Sequence, residues 1–308
     1  MKKLVFFFSI LSILFLQCQS QSKTAKKING PFEVMEIKNL SYVKNPSPKT
    51  DSLQQLNLFL PKGAKKVPLL IWIGGGAWSY VNRHMETDLA HKLVKDGIAV
   101  ASVGHRLSTA VWRDSSMNEG IQHPEHIRDI AAAFQWLVAN KKQYNYNIDK
   151  IVIGGFSSGA HLATLISMNE KYLKEQGLSK DMIKGVIAFG GTYDIPDYYD
   201  AFVNGSNPQL AETHVQAVFG KTEEAFLDAS PTTFLKDLKA PLLLMSENNT
   251  NRYAELFRDK ILATDYKKME FHHADMGHGE LWQHISKEEK SEYRDMMVDF
   301  ILRSCGKG

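Results

Sequence analysis

Residues 150–168 read Lys-Ile-Val-Ile-Gly-Gly-Phe-Ser-Ser-Gly-Ala-His-Leu-Ala-Thr-Leu-Ile-Ser-Met. A β-branched run enters the pentapeptide Gly155-Phe156-Ser157-Ser158-Gly159, and a helix-forming run leaves it. A G-x-S-x-G motif between a strand and a helix predicts a sharp turn that lifts the serine above the sheet edge and exposes its Oγ. The backbone is crowded at such a turn, and Gly155 and Gly159 supply residues without side chains on both sides. The pentapeptide alone arises by chance in about one chain in ten of this length, so its weight comes from its flanks. The reading is a nucleophilic Ser157; the competing one is an ordinary glycine-rich strand-to-helix turn.

On either side, strand-like and helix-like segments alternate. Strands are predicted over residues 32–43 and 54–60, separated by the turn-rich Asn45-Pro46-Ser47-Pro48. Further strands are predicted over 67–73, 98–103, 151–153, 186–189, 242–245 and 268–273, and helices over 88–96, 124–142, 252–262 and 287–303. In the helix over 124–142, Ile127, Ile130, Ala131, Phe134, Leu137 and Val138 share one face. Buried strands alternating with helices mean a mostly parallel sheet covered on both faces. An antiparallel opening pair followed by βα units that carry the serine in mid-chain predicts an α/β-hydrolase fold with an eight-stranded sheet. The longest interruption, before the strand at 242–245, is rich in aromatics: Tyr193, Tyr198, Tyr199, Phe202 and Phe219. Residues 195–239 have two readings, a small cap over the site or a helical connection packed at the rim.

The chain has 308 residues, 44% hydrophobic and 23% charged, an ordinary globular composition with no repeat or low-complexity tract. A formal net charge of +3, with no basic cluster interleaved with aromatics, gives no footing for a nucleic-acid partner. Met1-Lys2-Lys3 followed by an apolar run over 4–16 predicts a signal peptide over residues 1–17 and an extracytoplasmic location, since the run is too short to span a membrane. Cys18 stands where a bacterial lipoprotein signal places its lipidated cysteine, although Gln17 replaces the small residue preferred before it. The mature protein is therefore expected to be either secreted or lipid-anchored to a bacterial membrane through Cys18. Removal of the leader takes two lysines and no acids, lowering the formal charge from +3 to +1. A polar tether over 18–30 precedes the domain over 31–308. If Cys18 is lipidated, the other cysteine, Cys305, has no disulfide partner, and the core alone must hold the fold.

An acyl-transfer serine needs amide donors for the oxyanion: the N–H after the nucleophile and N–H groups of a glycine-rich loop after the third strand. Ser158 supplies the first, and Gly74-Gly75-Gly76-Ala77-Trp78 the second, with Gly75 and Gly76 as the expected donors. A phosphate cradle is the competing reading of that loop, but no G-x-G-x-x-G or Walker spacing accompanies it. The general base is expected after the last strand, where His278 lies between Gly277 and Gly279 on a loop. His272 and His273 fall within the strand itself. With Asp275 and His278 they form a cluster that lacks H-E-x-x-H or comparable spacing, so no metal site is expected. The acid's expected place, after the strand at 242–245, reads Ser246-Glu247-Asn248-Asn249-Thr250-Asn251, without aspartate. Glu247 is the only carboxylate there. Asn249, which can orient an imidazole but not balance its charge, and Asp194 remain alternatives.

Together these segments resemble the α/β-hydrolase esterases of the hormone-sensitive-lipase and acetyl-xylan/feruloyl-esterase-like group, with kynurenine formamidase as a relative. The resemblance runs from about residue 40 to 285. It is carried by Leu56-Asn57-Leu58-Phe59-Leu60-Pro61, the glycine loop with Trp78, His105-Arg106-Leu107, the helix from Asp129 to Trp136, residues 155–163, Ser230-Pro231 and Gly277-His278-Gly279. It implies a serine carboxylic-ester hydrolase without metal or organic cofactor, acting on a small-molecule or carbohydrate ester, with acetyl or feruloyl groups on polysaccharide as substrates in an extracytoplasmic setting. Gly74 stands where the family usually has histidine, Ala77 replaces a frequent glycine, and the usual acid is missing. His161 matches a family position and reads as a helix residue rather than a catalyst. The missing aspartate motivates an alternative, a weakened hydrolase fold used for binding; an amidase or peptidase using the same site is another.

Overall fold

The computed structural model describes residues 31–45, 47–48 and 52–306. The predicted leader, Cys18 and the tether lie outside the described residues. The chain forms one eight-stranded sheet in the order β1-β2-β4-β3-β5-β6-β7-β8. Its strands are β1 (Val34–Ser41), β2 (Gln55–Pro61), β3 (Val67–Ile73), β4 (Ala99–Val103), β5 (Tyr146–Phe156), β6 (Ile183–Phe189), β7 (Leu242–Glu247) and β8 (Met269–Ala274). β2 pairs antiparallel with both β1 and β4, and every other pair is parallel.

The helices are α1 (Thr87–Lys95), α2 (Glu125–Tyr144), α3 (Ser158–Met168), α4 (Lys171–Glu175), α5 (Ile195–Val203), α6 (Ala217–Phe219), α7 (Glu223–Asp228), α8 (Asn251–Leu262), α9 (His278–Ser286) and α10 (Glu292–Ser304). They cover both faces. Alternate residues of β3 show how: Leu69, Ile71 and Ile73 join the core beneath α2, α3 and α8, whereas Leu70 and Trp72 join the core beneath α1, α9 and α10. A continuous apolar run is what a strand buried on both faces requires, and all seven residues of β3 are buried.

Two predicted elements differ. The strand entering the serine turn is 11 residues long rather than the three of 151–153, because its polar first half pairs through Tyr146 with Val67 and is not marked by an apolar run. The helix predicted over 287–303 begins at Glu292 instead. The Ser291 hydroxyl accepts from the Arg294 amide at 3.2 Å and caps it there. A separate helix, α9, precedes it, started by Glu280 reaching back to the Gly277 amide at 2.6 Å. Between β6 and β7, residues 195–237 form α5, a π-helical turn at Ala211–Gln216, α6, α7 and a 3₁₀ stretch at Pro231–Asp237.

Candidate active site

Ser157 joins β5 to α3 with φ 56° and ψ −121°, a conformation that costs a non-glycine residue energy and recurs where function demands it. Two features hold it there. Its amide donates to the Phe189 carbonyl at the end of β6, 2.8 Å away. The flanking glycines also allow backbone to meet backbone: a Cβ on Gly159 would lie 2.0 Å from the Ile73 carbonyl oxygen, and one on Gly155 2.3 Å from the Gly159 carbonyl carbon. Neither neighbour is a side chain that can swing away. Gly159→Ala is expected to destabilise the protein by more than about 4 kcal/mol, the range of severe overpacking and backbone strain; urea denaturation of the soluble fraction measures it.

His278 is the first residue of α9, not a loop residue, because Gly277 and Glu280 start the helix at that point. Its Nδ1 lies 2.8 Å from Glu247 Oε1 at the end of β7. Its ring is 4.6 Å from that of Phe156, the neighbour of Ser157 in the turn. The Glu247 side chain is fully buried, and that of His278 is one-third exposed. Burial pushes the Glu247 carboxyl upward, but hydrogen bonds from His278, the Thr250 hydroxyl at 2.7 Å and the Asn249 amide at 2.6 Å outweigh it and hold the carboxyl below the usual glutamate value. Glu247 is therefore an anion near neutral pH, facing the ring nitrogen that must carry a proton if Nε2 is to accept one. Gly190, with φ 63°, passes beneath the pair: a Cβ there would stand 3.1 Å from His278 Cε1.

The alternatives for the acid sit elsewhere or do something else. Asn249 meets His278 through its backbone: its Oδ1 accepts the His278 amide at 2.9 Å, so it positions the start of α9 rather than the imidazole. Asp194 caps α5 through the Asp197 amide at 3.1 Å, accepts from Thr232 at 2.9 Å and pairs with Lys260 at 2.6 Å. Of the other histidines near the C-terminus, His273 shares a 2.9 Å hydrogen bond with the Ser246 hydroxyl through Nδ1, and Asp275 accepts from Asn248 at 3.1 Å.

The glycine loop folds against the serine turn, where a Cβ on Gly75 would lie 3.1 Å from Ser157 Cβ. Among the described residues, no backbone carbonyl accepts from the amides of Gly75, Gly76 or Ser158. No side chain caps α3 either, and the Ala160 and His161 amides turn back to the Ser157 carbonyl at 3.0 and 3.3 Å. Ala77 (φ 48°) and Trp78 (φ 57°) carry the loop through the left-handed region. The Trp78 indole pays for that strain by anchoring: Nε1 donates to His161 Nδ1 at 3.2 Å, and His161 Nε2 in turn donates to the Ala229 carbonyl at 2.7 Å. Burial pushes His161 down to about 3, so it stays neutral and can play both parts. His161 thus fixes the loop to α3, a role that sequence reading misses because its partner is 83 residues away. Phe219, His214 and Tyr198 of the segment between β6 and β7 also pack on Trp78, with ring centroids 4.9, 5.9 and 6.2 Å away.

The sheet order, the serine turn and the histidine that follows the last strand make this protein an α/β-hydrolase. The chain belongs to the BD-FAE family, whose profile matches residues 56–252. It is 28% identical over 185 residues to the probable carboxylic ester hydrolase LipM of Mycobacterium tuberculosis, covering 59% of this chain and 41% of LipM. It is 27% identical over 187 residues to the kynurenine formamidase of Danio rerio, covering 60% and 54%. The chain spans about half the length of the curated relatives it matches. Among solved structures it is similar to esterase B from Lactobacillus rhamnosus (TM-score 0.72, 21% identity, 90% of this chain and 87% of the other). It is also similar to a bacterial heroin esterase (TM-score 0.67, 17% identity, 90% and 86%). At those identities the likeness to solved structures bears on the fold.

Proposed function

We propose that this protein is a serine hydrolase that cleaves small carboxylic esters through an acyl-Ser157 intermediate. The observation that carries the reading is the 2.8 Å contact of buried Glu247 with His278 Nδ1, because it supplies the charge that the sequence left in question. Ser157 Oγ attacks the ester carbonyl while His278 Nε2 takes its proton, and the Glu247 anion stabilises the resulting imidazolium. The amides of Gly75, Gly76 and Ser158 hold the oxyanion. His278 then protonates the leaving alcohol, and water, activated by the same imidazole, releases the acid. Residues 195–239 act as a cap that shapes the pocket, a role supported by their aromatic packing on Trp78.

The names of the LipM and LipC relatives support an ester substrate. Neighbours described as a carbohydrate esterase and a bifunctional GH43-CE protein are compatible with esters on polysaccharide. The basic start, short apolar run and Cys18 support an extracytoplasmic protein, secreted or lipid-anchored. An amidase reading has one specific support, the formamidase relatives. A binding protein with a disabled site is disfavoured, because such a site has no reason to keep a buried carboxylate on the imidazole.

A fluorophosphonate probe tests the proposal directly. One equivalent is expected to bond to Ser157, located by peptide mass spectrometry, and labelling should fall when a short p-nitrophenyl ester competes. A folded protein that leaves Ser157 unmodified would sink it.

A further inference from the structure

Behind the oxyanion loop lies a carboxyl group that the reaction above does not use. Glu86 ends the 3₁₀ turn Arg83–Glu86 and is 2% exposed. Its Oε2 accepts from Trp72 Nε1 at 2.8 Å, close to the end of β3, and the Trp282 indole acts on the same carboxyl as a donor that favours its charged form. A Cβ built on Gly74 would lie 2.7 Å from Glu86 Oε1. Trp282 stands one turn beyond His278 on α9. One carboxyl group therefore touches the strand end that opens the oxyanion loop and is acted on by an indole of the helix that begins at His278.

The charged groups around Glu86 do not pair with it. Arg83, in the same turn, is taken up by Ser52, Asn39 and Gln55, and His84 by Asn57. Lys287, just past α9, acts on Glu86 only through space, and its ammonium pairs with Asp88 of α1. Burial pushes the carboxyl up to about 7, against the pull of the two indole donors and Lys287. A carboxyl so placed can accept from two indoles while neutral; ionised, it would set a negative charge behind amides that must stabilise another one.

We propose that Glu86 is a positioning residue: its neutral carboxyl clamps the oxyanion loop to the helix of the base without facing the developing oxyanion with a negative charge. The kinetic part of this proposal rests on the ester-hydrolase reading, so the first test avoids turnover. In Ser157→Ala protein, the indole N–H signals of Trp72 and Trp282, assigned with Trp72→Phe and Trp282→Phe, should titrate together with a midpoint near 7. The titration should vanish on Glu86→Gln. Thermal unfolding gives the matching sign. Below about 4.5, the ordinary glutamate value, the group is protonated in both states. Between 4.5 and about 7 the unfolded chain loses its proton first, so the wild type loses stability as pH rises. The melting temperature of Glu86→Gln, measured against the wild type, should climb over that window and level off above it.

In the active enzyme, Glu86→Ala should lower kcat at least about tenfold while KM changes less than about twofold, since misplaced donors weaken transition-state binding rather than ground-state binding. Glu86→Gln should recover most of the loss, and it should remove the alkaline fall in kcat that ionisation of Glu86 near 7 is expected to cause in the wild type. Indoles that do not titrate together, a kcat unmoved by Glu86→Ala, or an alkaline fall that persists in Glu86→Gln would overturn the proposal. A wild type with no esterase activity but with the indole titration would count against the ester-hydrolase reading and still support the clamp.

Discussion

Ser157→Ala is expected to lower kcat on short p-nitrophenyl esters by about a million-fold, with the fold intact. The size follows from what is removed. Without Oγ there is no acyl-enzyme, and the charged imidazole pair has no proton to take, so the members of the catalytic group fail together rather than by shares. What survives is the oxyanion donors and substrate binding, worth roughly a thousand- to ten-thousand-fold over water in enzymes of this chemistry. Alanine inherits the backbone at φ 56° with no added clash, because the space around Ser157 is set by Gly155, Gly159 and Gly75 rather than by its hydroxyl. The melting temperature should therefore stay within a few degrees. Steady-state rates with circular dichroism as a control make the measurement. A variant that keeps wild-type turnover would show that the reaction uses another nucleophile.

Much of the fold was legible because its signals are local. Seven buried apolar residues in β3, the single apolar face of α2 and the glycines around Ser157 are each read from residues near one another in the chain. The order of those elements then fixes which strand ends lie together, and that is enough to bring Ser157, Gly75 and His278 to one edge of the sheet. What was illegible is set by contacts between distant residues. The choice among Glu247, Asn249 and Asp194 turned on which side chain points at Nδ1. Asp194 lies after β6 and Glu247 at the end of β7, both plausible by position, and only the Lys260 pair and the α5 cap show that Asp194 is engaged elsewhere. The same holds for His161 beneath Trp78 and for Glu86 between Trp72 and Gly74: a buried histidine in a helix and a glutamate in a short turn carry no periodic or motif signal of their own. The flanking glycines make the start of α9 at His278 look like loop in the sequence, whereas the Glu280 side chain returning to the Gly277 amide is what turns the segment helical.

Glu247→Gln should reduce kcat by roughly ten-thousand-fold, the effect of neutralising the corresponding acid in serine proteases. The donors around the carboxylate make the substitution worse than a loss of charge. Oε2 accepts the Asn249 amide, while Oε1 accepts both the Thr250 hydroxyl and His278 Nδ1. A glutamine must place its NH₂ at one of these two positions. At the first it meets the Asn249 N–H donor to donor, an unmet buried amide costing about 1–3 kcal/mol. At the second it donates to Nδ1 and forces the imidazole into the tautomer with its proton on Nε2, where it cannot accept from Ser157. Either outcome leaves the imidazolium without an anion. The pH dependence has a definite sign. The Glu247 carboxyl is held below the ordinary glutamate value of 4.5, so the pair's contribution to stability is present above that pH and is lost as pH falls through the lower folded value. The melting temperatures of wild type and Glu247→Gln should therefore converge in acid and separate toward neutral pH, in parallel with the gap in kcat. Asp194→Asn is the comparison that decides between carboxylates: it should leave kcat within about threefold, since it disturbs the α5 cap and an ion pair with a half-exposed lysine. If Asp194→Asn abolishes turnover while Glu247→Gln does not, the acid has been assigned to the wrong strand end.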